Sequence, residues 1–296
     1  MVKKCTVKLT REVRFSLTSD FEEQIAPAKA INSWGGWPGS LSAAPFLAVR
    51  VTVAGVPDPV TGMLCNISAI DAAVRTAGFQ ALAELTDWDA SVLLSRLASA
   101  VVEALAASPQ PRESQTESSE SGTPESGAVA TLSESTTEIS ITDVELLLTP
   151  TARLEMSIQN PDRVLLTQQF EFAAAHRLHC DDYSEEENRR VFGKCNNPGG
   201  HGHNYILEIT LATTPDDLQG RVISLAEFEA TVRREVIDPY DHEHLNCEDD
   251  FAGMNPTVEN IAKVIWKKLH GKFGPAQLHR VRVHETSKTM AEYGGE

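Results

Sequence analysis

His201-Gly-His-Asn-Tyr-Ile-Leu-Glu-Ile-Thr-Leu-Ala212 carries two histidines at its start. From Asn204 to Thr213 it alternates in the manner of a half-buried β-strand. Its echo lies 158 positions earlier (46 against 204), in Phe46-Leu-Ala-Val-Arg-Val-Thr-Val-Ala54. The same offset pairs Gly62 with Gly220, Ile67 with Leu225, and Val74-Arg75 with Val232-Arg233. Upstream, Val13-Arg-Phe15 resembles Phe170-Glu-Phe172 at an offset one shorter. A single offset held from Phe46 to Arg75 reads as an internal duplication.

Each copy carries the same coarse pattern. In the second, Val164–His176 alternates as a strand and Asn204–Thr213 is the next. Ser224–Val236 has helical spacing, with Ser224 and Glu227 placed as a capping box. Thr257 precedes a second helix, Val258–His270, with Val258, Ile261, Ala262, Ile265 and Leu269 on one face. A strand over Leu278–Glu285 and a short last strand near Tyr293 complete the order. In the first copy, Ser91–Ala106 matches the second helix and Ile139–Leu148 the strand after it. Between them, from Ala107 to Glu138, Ser, Thr, Glu, Pro and Gly dominate and aromatics are absent. Such a segment buries too little apolar surface to offset its ordering entropy, so a disordered insertion at 107–138 is expected. The domain boundary is expected near Asn160-Pro161-Asp162, giving domains 1–160 and 161–296.

Composition narrows the function. The 296 residues carry a net charge of −16, which repels a phosphate backbone and argues against nucleic-acid binding. A phosphorylated small substrate would need a local positive site or a metal. No uncharged apolar run reaches the ~18 residues of a membrane span. Met1-Val-Lys-Lys-Cys5 and the residues after it lack an apolar core, so no secretory signal is expected. Five scattered cysteines suit free thiols in a reducing compartment, and a cytoplasmic location is expected.

All nine histidines lie between His176 and His284, so histidine chemistry belongs to the second half. His201 and His203, two apart on a strand, point to one face. His176 ends the preceding strand on the face of Phe170, Phe172 and Ala174. If the two strands pair antiparallel, three imidazoles converge and leave a fourth position open, the form of a catalytic zinc site. Cys195 sits in Phe192-Gly-Lys-Cys-Asn-Asn-Pro-Gly-Gly200, a loop by composition. Near a metal and Lys194 it is a candidate base or nucleophile. Asp241-His242 is a candidate proton shuttle, the carboxylate orienting the ring. Glu285, at a strand end, suits bidentate recognition of an aminopyrimidine edge.

The run Phe172-Ala-Ala-Ala-His176, Glu187-Asn188 and Val191-Phe-Gly-Lys-Cys-Asn-Asn-Pro-Gly-Gly-His-Gly-His-Asn-Tyr205 closely resembles 6-pyruvoyl-tetrahydropterin synthases. So do Asp241-His242, Pro256-Thr-Val-Glu-Asn260 with Trp266, and Glu285-Thr286 leading to Tyr293-Gly-Gly-Glu296, over about residues 164–296. The resemblance implies an α+β fold of two tandem tunnelling-fold domains, each a four-stranded antiparallel sheet with two helices on one face. It implies ring-shaped homo-oligomers, such as a trimer of two-domain chains, with active sites between subunits. It implies Zn2+ on His176, His201 and His203, Cys195 as base, and Asp241-His242 as the second proton-transfer unit. Glu285 would anchor the pterin ring, helped by Thr257.

The implied substrate is 7,8-dihydroneopterin triphosphate, from which triphosphate is eliminated to give the 6-pyruvoyl compound. Related enzymes of the same fold cleave the side chain instead, giving 6-carboxytetrahydropterin for deazapurine and queuosine synthesis. Five residues separate Cys195 from His201, a spacing similar to the pyruvoyl type. A non-catalytic pterin-binding protein is a third reading, against which the intact Cys195 and Asp241-His242 argue. The first copy resembles the family at Asp58-Pro-Val-Thr-Gly-Met-Leu-Cys-Asn-Ile-Ser68, yet Ala43 and Pro45 stand where His201 and His203 would. Ser19 falls near the place of His176, and Gly35-Gly-Trp-Pro-Gly39 replaces the Cys195 loop. The first domain is therefore expected to be a degenerate copy that supplies sheet edges and walls to catalytic sites on the second.

Overall fold

The computed structural model describes residues 6–16, 46–83, 90–107, 139–219 and 224–295. Ser19, Gly35–Gly39, Ala43, Pro45, Gly220 and the low-complexity residues 108–138 lie outside them. The described residues of Met1–Leu85 and Arg96–Val144 form one compact unit, and those of Thr86–Ser95 and Glu145–Glu296 a second.

In the first unit, β1 (Val7–Ser16) and β2 (Phe46–Gly55) pair antiparallel, with Val7 opposite Gly55 and Ser16 opposite Phe46. β3 (Ser140–Leu147), of which Ser140–Val144 belong to this unit, follows on the other side of β2. Val49, Val51 and Val53 alternate along β2 and are fully buried. Helix α1 (Ile67–Ala83) buries Ile70, Ala73, Val74 and Ala77. Helix α2 (Ala90–Ala107), whose residues from Arg96 onward belong to this unit, buries Leu93, Leu94, Leu97, Ala98 and Val101. Both sets recur at the three- and four-residue spacing of one helix face.

The second unit holds β4 (Ala152–Ser157), β5 (Asn160–His176), β6 (His201–Thr213), β8 (Gln277–Thr286) and β9 (Thr289–Tyr293) in the antiparallel order β4-β5-β6-β8-β9. The two-residue β7 (Glu243–His244) runs parallel beside the end of β5. The expected four strands are β5, β6, β8 and β9, and β4 adds a fifth along β5. The compact unit reaches back to Glu145, in the last residues of β3, whereas the sequence boundary at residues 160–162 coincides with the start of β5. Tyr205, Leu207, Ile209 and Leu211 alternate along β6, all fully buried.

Three helices concern the site: α3 (Glu185–Phe192), α4 (Leu225–Val232) and α5 (Val258–Leu269). All five residues expected on one face of α5 are buried. Phe228 of α4 meets Phe170 of β5 edge-on, 6.1 Å between ring centres. The expected helix Ser224–Val236 keeps α-helical bonding only to Val232. A π-turn over Arg233–Ile237 then leads into Asp238–Tyr240. The wider turn admits an extra residue while Val236, Ile237 and Tyr240 stay buried, and it delivers the chain to Asp241. Ser224 does accept the Glu227 N–H, at 3.3 Å. A reciprocal capping box is formed elsewhere, by Ser184 and Glu187 of α3.

The two strand pairs share one register. Phe15 faces Leu47 as Phe172 faces Tyr205, and Val13 faces Val49 as Phe170 faces Leu207. The offsets are 157 for the first strand and 158 for the second, so the odd residue falls in the connection. The hydroxyls of Thr10 and Thr52 lie 2.8 Å apart, and those of their counterparts Thr167 and Thr210 lie 3.0 Å apart. The second pair is buried, so removing one hydroxyl leaves the other unsatisfied. Thr210→Val should cost about 1–3 kcal/mol, whereas Thr167→Val/Thr210→Val together should recover most of it. Denaturant unfolding of the three variants checks this; additive losses would contradict it.

Candidate active site

Strand register assembles the site. His176 ends β5 directly opposite His201, the first residue of β6, and His203 follows on the same face. Ring centres lie 4.5 Å (His176–His201), 5.1 Å (His176–His203) and 4.8 Å (His201–His203) apart. One nitrogen from each lies within 4.8 Å of the others. His176 Nε2 and His201 Nε2 approach to 3.1 Å.

His176 is 1% exposed. Its Nδ1 lies 2.7 Å from the Pro256 carbonyl, which can only accept, so the proton sits on Nδ1 and the Nε2 lone pair faces the cluster. Burial pushes its pKa below the ordinary histidine range, against the opposing effect of the Pro256 bond. His201 is lowered too, first by burial and then by His203. Two neutral imidazoles close together are suited to share a cation. His203 Nε2 is buried without a hydrogen-bond partner, a deficit that a bound ion would relieve. The donor set thus fits a borderline metal such as zinc.

Glu285 joins this cluster. One carboxylate oxygen lies 3.4 Å from His176 Nε2 and 3.6 Å from His203 Nε2. Thr257 sits at the neighbouring helix entry, where its hydroxyl caps α5 by accepting the Asn260 N–H at 3.4 Å. Tyr205 lies beneath, fully buried, stacked on Phe172 at 5.0 Å. Its phenol is held protonated by burial first, then by the negative charges of Glu285 and Cys195. The signal for Tyr205 in the sequence is its place in the His-X-His-X-Tyr alternation from His201 to Tyr205.

Asp241 and His242 are brought together on the flank of β5. Asp241 accepts the Ala173 N–H at 2.8 Å with one oxygen, and the other lies 2.9 Å from His242 Nδ1. These two bonds, the backbone one first, hold the Asp241 carboxyl below its usual range. His242 has φ +64°, a left-handed conformation rare for a non-glycine residue, and its ring is 81% exposed. Its Nε2 is therefore presented outward. Cys195 lies in a 3₁₀ turn (Gly193–Asn196) after α3, half-buried, its carbonyl accepting the Leu178 N–H at 2.9 Å. The histidine cluster is thus flanked by the Cys195 turn and the Asp241-His242 turn.

A model of the family described as 6-pyruvoyl tetrahydropterin synthase matches residues 165–296. The 6-pyruvoyl tetrahydrobiopterin synthase of Poecilia reticulata is 41% identical over 133 residues, 44% of this chain and 90% of that protein. The chain belongs to the 6-pyruvoyl tetrahydropterin synthase family. It is by that membership an enzyme of the lyase class. More distant is the 6-carboxy-5,6,7,8-tetrahydropterin synthase of Rickettsia conorii, 26% identical over 145 residues, 43% of this chain and 96% of that one. Among solved structures, 6-pyruvoyl tetrahydropterin synthase of Caenorhabditis elegans is 36% identical with a TM-score of 0.42, covering 45% of this chain and 96% of that one. Among the described residues, no helix is long and apolar enough to cross a membrane.

Gly200 shows how tightly the family motif is built here. It has φ +71°, and a Cβ on it would lie 2.6 Å from His244 Nε2 and 3.0 Å from the His176 carbonyl oxygen. Gly200→Ala should lower the thermal midpoint and the divalent-metal content together, the strain being about 1–3 kcal/mol. An unchanged midpoint with full metal content would contradict this.

Proposed function

We propose that this chain is a zinc-dependent lyase that eliminates triphosphate from 7,8-dihydroneopterin triphosphate to give 6-pyruvoyl-tetrahydropterin. The observation that carries the reading is the joint presence of the three-histidine cluster, the Asp241-His242 pair and Cys195 around one sheet end. Bound on His176, His201 and His203, zinc would supply Lewis-acid polarisation of the side-chain hydroxyls. The Cys195 thiolate takes a proton from the substrate side chain. His242, oriented by Asp241, moves the second proton at Nε2. Glu285, with Thr257 nearby, holds the aminopyrimidine edge. Triphosphate departs and the product tautomerises.

The carboxy-forming reaction is the alternative, which the Rickettsia relative keeps open. Zinc-loaded protein incubated with 7,8-dihydroneopterin triphosphate should release triphosphate and retain the three-carbon side chain, read by mass spectrometry. A 6-carboxy product with acetaldehyde would move the chain to the other branch. Cys195→Ala should lower turnover at least about 100-fold, and Asp241→Asn by about 10²–10⁴. Retained turnover in Cys195→Ala would remove it as the base, and pterin binding without turnover in the wild type would favour a binding protein. His176→Ala should lose the bound zinc.

The chain is further proposed to be a tandem duplication, 1–160 and 161–296, with the first copy degenerate and the protein cytoplasmic. The shared register of the two strand pairs supports the duplication. At an offset of 137, Val144, Leu146 and Leu148 correspond to Val281, Val283 and Glu285, so the carboxylate position is apolar in the first copy.

By the same correspondence β4 is the counterpart of β9, and β5 of β1. The β4–β5 ladder then serves as a template for pairing β9 of one chain with β1 of a second copy in a ring-shaped homo-oligomer. Its register would set Tyr293 against Val7, Glu292 against Lys8 and Ala291 against Leu9. Val7 and Met290 are exposed apolar residues on these edges, at 43% and 59%. Val7→Asp with Met290→Asp should reduce the assembly to single chains by sedimentation without lowering zinc content. An unchanged mass would contradict this edge pairing.

A further inference from the structure

Between the end of β5 and α3 the chain passes through Arg177-Leu-His-Cys180, which has no regular secondary structure. Its main-chain groups are nonetheless taken up by side-chain amides from other segments. Asn246 receives the Arg177 N–H at 2.8 Å and donates to its carbonyl at 2.9 Å, copying a β-bridge. Asn196 donates to the Leu178 carbonyl at 2.7 Å, while the Leu178 N–H reaches the Cys195 carbonyl. Asn255 accepts the His179 N–H at 2.8 Å. Asn188, fully buried in α3, pairs with both the N–H and the carbonyl of Cys180.

These amides come from the segments that carry the site. Asn196 follows Cys195. Asn246 lies four residues beyond His242, and Asn255 precedes Pro256, whose carbonyl fixes His176. Asn196 is 5% exposed, and the Arg177 guanidinium bonds its carbonyl at 3.2 Å. Both Asn196 Nδ2 and Arg177 Nη2 point at His179 Nδ1, at 3.0 and 3.2 Å, so that nitrogen is the acceptor and the ring orientation is fixed. Cys195 is thereby held from both sides of the peptide unit it shares with Asn196, by Leu178, two residues beyond His176, and by Arg177.

We propose that Asn196 is a positioning residue that, through the Arg177–Cys180 strap, fixes the distance of the Cys195 thiol from the histidine-bound cation. The proposal rests on the reading of Cys195 as the base. A thiol near a cation is more readily deprotonated, and a misplacement of about 1 Å can cost about 100-fold in rate. Asn196→Asp keeps the side-chain shape and removes the donor to Leu178; Asn196→Ser removes the reach. Asn188→Ala cuts the same strap where no reacting residue is attached.

The test is the alkylation of Cys195 by iodoacetamide at pH 7, followed on its own peptide by mass spectrometry, with and without zinc in the full chain. Zinc should accelerate alkylation about tenfold in the wild type and in Asn188→Ala. In whichever Asn196 variant folds and binds a full equivalent of zinc, the acceleration should fall to within about twofold. Turnover should drop about 100-fold with KM little changed. A folded, zinc-loaded Asn196 variant that keeps the zinc effect overturns the proposal, as does an equal loss in Asn188→Ala or no zinc effect in the wild type. Because alkylation needs no substrate, these outcomes remain readable if triphosphate elimination itself fails.

Discussion

The antiparallel register that sets His176 opposite His201 is the constraint on which the site depends. A slip of one residue would turn His201 and His203 to the other face, together with Tyr205 and Leu207, and leave His176 without partners. The register is held from within the sheet. Phe172 stacks on Tyr205, the buried hydroxyls of Thr167 and Thr210 pair, and the apolar residues of β6 fill the core. Packing and chemistry are thus specified by the same alternation. The Pro256 carbonyl then sets which nitrogen of His176 keeps its proton, so a helix entry distant in sequence completes what the strands begin.

The two flanking turns solve different problems. Asp241 is tied to the Ala173 N–H, so the Asp241-His242 pair is anchored to the strand that ends in His176, and the His242 ring stays exposed. Cys195 is fixed through its main chain, and its thiol is in no disulfide. Both turns lean on β5 or on the residues just after it, so the parts of the site share one frame of reference.

Much of this was legible in the sequence because period-two alternation and His-X-His spacing translate directly into side-chain direction. Val258, Ile261, Ala262, Ile265 and Leu269 could be assigned to one buried helix face for the same reason. The slightly different offsets of the two sequence echoes, 157 and 158, keep the same cross-strand partners in the two strand pairs. The π-turn after Val232 left no mark in hydrophobic spacing, because Val236 and Tyr240 continue a plausible helical series. The strap from Arg177 to Cys180 was equally silent. Its order comes from asparagine amides scattered between residues 188 and 255, which no local pattern joins. Glu285 was found, but its approach to two imidazoles depends on β8 lying beside β6.

The central claim is an open metal site made by three imidazoles, with Cys195 near the ion and free of it. Zinc-edge X-ray absorption on the loaded chain addresses it most directly. Three nitrogen neighbours at about 2.0–2.1 Å and one oxygen, with no sulfur, are expected. A zinc–sulfur distance of about 2.3 Å would make Cys195 a ligand and contradict the account.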